Sequence, residues 1–103
     1  MRATAIGLVS DTCHECTDLR ESLRKLFGKE GITLDFVEVN YDDDPTGSTE
    51  SVSSLGLSSP PSFLIGEVVF TTYYSHSEFE KALANLKRDD ICQMVQELRR
   101  LAL

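Results

Sequence analysis

An apolar run from Ala3 to Val9 passes almost directly into a helical pattern, and the junction reads Ser10-Asp11-Thr12-Cys13-His14-Glu15-Cys16. No other stretch limits the fold as much. A run that is apolar at nearly every position suits a strand covered on both faces. A strand that feeds straight into a helix starts an alternating α/β arrangement. The helix start leaves backbone N–H groups unpaired and turns a partial positive charge toward whatever sits there. Two cysteines three apart at that spot have the working geometry of a dithiol/disulfide centre. A thiolate is stabilised there, and the thiolate is the form that attacks disulfides. The second cysteine is close enough to close a ring and release a partner.

The helical pattern extends from about Cys13 to Lys29. Cys16, Leu19, Leu23, Leu26 and Phe27 fall on one face, while Asp18, Glu21, Arg24 and Lys25 lie outside it. Cys16 therefore shares the buried stripe, and Cys13 sits at the exposed cap. Gly28 or Gly31 can end the helix. Gly7, inside the first strand, suggests close packing against another backbone.

Ile32 to Tyr41 is rich in β-branched and aromatic residues and reads as a second strand. Asp42-Asp43-Asp44-Pro45 closes it, with Asp44 as cap and Pro45 as first residue of a weak helix through the Ser/Thr-rich run to Ser54. Asp42, Asp44 and Gly47 match three positions of a calcium loop. Ser53, however, stands where a bidentate Glu is needed, and Pro45 intrudes, so a solvated turn is expected.

Further on, two apolar runs, Phe63-Leu64-Ile65 and Val68 to Tyr74, flank Gly66-Glu67 and read as a hairpin with a type II′ turn. Ser77 with Glu80 makes a capping box, and Ser75 with Glu78 offers another one turn earlier. Phe79, Ala82, Leu83 and Leu86 then form an apolar face. Asp90 with Gln93 starts a last helix, which carries Ile91, Met94, Val95, Leu98, Leu101 and Ala102 on one side. That helix covers the sheet or meets its copy in a dimer.

With 103 residues, no repeats and no linker, the chain is one domain, with the last helix (89–103) added to residues 1–88. A net charge of −7 argues against nucleic-acid and anionic-membrane partners. The run from Ala3 to Val9 is too short for a signal peptide, and Asp11 follows it. No stretch approaches the roughly 20 apolar residues that span a bilayer. Three cysteines, two of them in C-x-x-C, do not make a secreted disulfide scaffold, so a reducing, cytoplasmic setting is expected.

The order strand, helix, strand, helix, hairpin, helix resembles the thioredoxin superfamily, and within it the small glutaredoxin-like redoxins. The resemblance covers residues 3 to 88. It rests on the C-x-x-C after strand one, the Asp44-Pro45 helix opening, and Pro61-Ser62-Phe63-Leu64-Ile65 in place of that family's Pro-Thr-strand motif. It implies a three-layer α/β fold (β-α-β-α-β-β-α) with an extra C-terminal helix, and thiol–disulfide exchange with a protein partner recharged by a reductase. It further implies that Cys13 attacks, that Cys16 resolves, and that Pro61 is cis and faces the dithiol. The Pro60 carbonyl and its neighbours would then pair with an extended substrate beside Thr12, His14 and Glu15.

Departures from that pattern are informative. Thioredoxins usually carry Trp-Cys-Gly-Pro-Cys, and this chain has no Trp. Glutaredoxins usually place a basic residue before the first cysteine, where this chain has Ser10-Asp11-Thr12. No Lys or Arg occurs between Glu30 and Glu80, so glutathione's carboxylates meet no cation there unless Arg20 or Arg24 reaches round. A glutathione-dependent glutaredoxin is therefore the second reading. A protonated His14 favours the thiolate, whereas Glu15, Asp11 and Asp18 disfavour a second anion, which points to a reducing protein.

A metal- or partner-binding module is the third reading. A zinc site needs four ligands, and only His14, His76 and Cys92 remain to join the pair. No cofactor beyond the dithiol itself is expected. His76 reads as a surface or cap residue. Cys92, at the edge of the last apolar stripe, reads as a packed small side chain or as a regulatory or intersubunit thiol.

Overall fold

In a computed structural model of the chain, the first strand is the hub of the sheet. Residues 1–43, 54–57 and 59–102 are described. The helix expected after Asp44-Pro45, and the calcium-loop positions beyond Asp42, lie outside them. Strand β1 (Arg2–Val9) pairs in parallel with β2 (Thr33–Asn40), Arg2 standing opposite Thr33 and Val9 opposite Asn40. On its other side β1 runs antiparallel to β3 (Ser62–Ile65), which pairs antiparallel with β4 (Val68–Phe70). The sheet order is therefore β2-β1-β3-β4, mixed, with helices α1 (His14–Gly28) and α2 (His76–Ala102).

Both helices lie on one face of this α/β sheet. Ala3, Ala5 and Val9 point to that face together with Leu34, Phe63, Ile65, Val68 and Phe70. There they meet Cys16, Leu19, Leu23 and Phe27 of α1 and Phe79, Ala82 and Leu86 of α2. Alternate residues of β1 turn the other way, where Leu8 and Leu57 are buried and Ile6, Val39, Leu64 and Val69 pack on them. A central strand with apolar neighbours on both sides explains the unbroken run from Ala3 to Val9. Phe27 joins three elements, lying edge-on to Phe70 at 5.9 Å and to Phe79 at 5.0 Å.

Four local expectations change. Gly7 makes its close approach to a side chain rather than a backbone. It stands opposite Phe63 in the β1–β3 register, and a Cβ there would lie 2.5 Å from Phe63 Cε1. The β3–β4 turn has positive φ at both Gly66 (+56°) and Glu67 (+63°), which is the type I′ pattern rather than II′. Glycine is required there for space as well, because a Cβ would lie 2.5 Å from the Ala82 carbonyl oxygen of α2. Strand β4 ends at Phe70, well short of Tyr74.

The fourth change is the largest. The two helices expected after the hairpin are one, His76–Ala102, 27 residues and about 40 Å long. No Gly or Pro interrupts it, so Asp90 has no break to cap. The earlier capping box is the one used: the Glu78 N–H donates to Ser75 Oγ at 3.2 Å, and that hydroxyl lies 3.3 Å from Glu78 Oε1. Among the described residues no helix is long and apolar enough to cross a membrane.

Candidate functional site

The turn between β1 and α1 carries the chemistry. The Cys13 N–H donates to the Ser10 carbonyl at 3.1 Å, and helix α1 starts at His14. Cys13 is therefore the N-cap, with extended backbone (φ −89°, ψ 98°) and no capping hydrogen bond from its side chain. Its sulfur instead lies at disulfide distance from that of Cys16, their Cα atoms 5.5 Å apart. Cys16 is 3% exposed on the buried stripe of α1, whereas Cys13 is part-exposed. One sulfur is open to a partner and the other is shielded.

The end of β2 holds this turn in place. The Asp42 carboxylate accepts from Ser10 Oγ at 2.7 Å and from the Asp11 N–H at 2.8 Å. Asn40 Nδ2 donates to Asp11 Oδ1 at 2.8 Å, and Asn40 Oδ1 accepts from the Asp42 N–H at 2.9 Å. Sequence reasoning missed this clamp. The signal was the parallel register, which brings Val9 beside Asn40 and so sets the residues after both strands at one sheet edge.

These contacts hold the Asp42 carboxyl below the usual carboxylate range, the Ser10 hydroxyl being the larger cause and the Asp11 N–H the next. A carboxyl with a depressed folded pKa lends its support above its ordinary value near 3.8 and loses it as pH falls through the lower folded value. The Asp11 amide is therefore expected to lose hydrogen-exchange protection on acidification below about pH 4. Asp42→Asn should remove that pH dependence, as followed by amide NMR. An unchanged acid profile would show that Asp42 does not hold the turn.

A cleft of about 520 Å3 opens beside Cys13. Thr12, His14, Glu15, Pro60 and Pro61, all expected near the sulfurs, line it, and the Pro60–Pro61 peptide is cis. Ser10 and, from the turn after β2, Tyr41 and Asp42 complete the wall and were not anticipated. Glu15 Oε2 accepts from Thr72 Oγ1 at 3.1 Å, which ties the helix start to the loop after β4.

Among the described residues the cleft wall carries carboxylates and His14 but no Lys or Arg. Arg20 binds Glu38 on β2, with Nη2 to Oε2 at 2.8 Å. Arg24 binds Glu21 at 2.6 Å and lies 5.3 Å from the Phe36 ring centroid. Neither lines the cleft. His76 pairs with Glu80 at 3.0 Å, and Cys92, expected to pack, is instead exposed because α2 projects past the sheet there, so the structure does not bring either to the pair. Among the described residues no three His, Cys, Asp or Glu side chains gather as metal ligands.

Comparison with protein-family models, curated proteins and solved structures returns no match for this chain.

Proposed function

We propose that the chain is a thiol–disulfide oxidoreductase of the thioredoxin superfamily, glutaredoxin-like in size and acting on protein disulfides. The observation that carries this reading is the asymmetry of the pair: Cys13 caps α1 beside an open cleft, and Cys16 is buried within disulfide reach. In the reduced state the Cys13 thiolate attacks a partner disulfide and forms a mixed disulfide, and one partner sulfur leaves as a thiolate. Cys16 gives up its proton, attacks Cys13 Sγ and frees the second partner sulfur. Two electrons and two protons pass to the partner, and the Cys13–Cys16 disulfide remains for an external dithiol reductase to reduce.

The charge of the cleft selects among reductants. A negative wall slows anionic partners and favours neutral or cationic ones. Glutathione, with net charge −1 and no Lys or Arg among the described residues of the wall to receive its carboxylates, is expected to reduce the disulfide more slowly than a neutral dithiol. Salt should narrow the gap, because screening acts over about 10 Å at 0.1 M. The check is the rate of Cys13–Cys16 reduction by each reductant at low and moderate ionic strength. Fast, saturable reduction by glutathione at low salt would put the glutathione-dependent reading first.

A further inference from the structure

Helix α2 is longer than the body it packs on. Its first turns bury Phe79, Ala82 and Leu86, and Asn85 Nδ2 donates to the Gly66 carbonyl at 2.7 Å. From Lys87 to Leu101 every residue is exposed. Within that stretch Ile91, Met94, Val95, Leu98 and Leu101 keep 61, 55, 42, 65 and 82% of their surface in water. At about 100° per residue, this stripe is centred roughly 100° around the helix from the one that meets the sheet. It is not a continuation of the buried face. Ile91, Met94, Leu98 and Leu101 recur at the spacing of a coiled-coil seam. Most helix stability in proteins comes from packing an apolar face, and this half of α2 packs on nothing among the described residues, so it gains from a partner face.

We propose that the occupant of this stripe is a second copy of the chain, with the two α2 helices paired parallel and in register from Ile91 to Leu101. The flanking charges decide both the partner and the direction. With Ile91, Met94, Leu98 and Leu101 as the seam, Asp90 and Glu97 lie along one edge; Arg88 and then Val95 lie along the other, and Arg99 stands just outside it. A two-fold axis along the seam puts Asp90 on the same side as the partner's Arg88, and Glu97 on the side from which the partner's long Arg99 reaches round. Antiparallel pairing sets acid against acid and base against base, which is disfavoured. Lys87, one turn before Ile91 on the same face, ends the apolar stripe.

The stripe offers on the order of 500 Å2 per copy, about 1,000 Å2 in all, at the low end of specific interfaces, so the dimer is concentration-dependent. Thr72 meets Glu15 where α2 begins, whereas Asn85 meets Gly66 at the opposite end of the sheet. Both dithiol clefts therefore stay open in the pair. The inference does not depend on the redox reading.

Sedimentation of the intact chain from about 1 to about 500 µM tests it, the range in which so small an interface should saturate. The mass should rise toward twice the 11.5 kDa of one chain. Leu98→Glu should hold it at one chain throughout, with its far-UV circular dichroism retained below 240 nm and the domain's thermal unfolding unchanged at low concentration. In a chain also carrying Cys13→Ser, Cys16→Ser and Cys92→Ser, Leu98→Cys should oxidise to a covalent dimer, since in-register pairing sets position 98 against itself. A monomer at every concentration, or a dimer that survives Leu98→Glu, overturns the proposal. So does cross-linking only in a mixture of Ile91→Cys and Leu101→Cys chains, which marks antiparallel pairing.

Discussion

Replacing Cys16 with serine is expected to halt exchange at a covalent complex in which Cys13 holds a partner cysteine. Cys13 keeps its place at the cap of α1 beside the cleft, so the first attack proceeds. What is lost is the attack from within. An intramolecular thiol acts with an effective molarity far above any external thiol, so turnover on a protein disulfide should fall on the order of a thousandfold or more. Intact-mass measurement should find the chain plus its partner, and an excess of dithiol should release both. With the exposed Cys92 changed to serine in both variants, Cys13→Ser should form no such complex, because Cys16 is buried at 3% exposure. A Cys16→Ser chain that still turns over when given glutathione alone would instead mark a glutathione enzyme.

The largest effect on stability is expected at Phe27. Its side chain is fully buried and bridges α1 to β4 and α2 through edge-on contacts with Phe70 and Phe79. Truncation leaves a cavity walled by two rings and by elements held in their own hydrogen-bond ladders, which cannot collapse to fill it. Phe27→Ala is expected to cost about 3–5 kcal/mol in urea unfolding, a large share of a typical total of about 5–15. Leu98→Ala on the projecting part of α2 should cost well under 1 kcal/mol in dilute solution. Equal costs at the two positions would contradict the division of α2 into a packed half and a projecting half.

Much of the site was legible because its signals are local. The cap position of Cys13 and the stripe position of Cys16 follow from helical spacing alone, and the structure places them there. Pro60 and Pro61, far along the chain, were brought to the cleft by family likeness rather than by any local rule, and they line it. What stayed hidden depends on pairing across distance. The Asn40–Asp42 clamp exists only through the parallel register of β1 and β2. The hairpin type was misread because glycine suits both turns, and the choice falls to Glu67, whose φ of +63° no sequence rule favours. Asp90 and Gln93 look like a helix start, yet with no glycine or proline before them the helix from His76 simply continues.

The most direct test of the central claim is the order in which the two thiols react. The reduced chain is pulsed with a small alkylating agent, quenched, and mapped by peptide mass spectrometry so that Cys13, Cys16 and Cys92 are scored separately. Cys13 should be modified well before Cys16, and neither should react after mild oxidation. A graded dithiol buffer should then convert the pair in a single two-electron step. Equal labelling of Cys13 and Cys16, or tight stoichiometric zinc in the purified protein, would contradict the account.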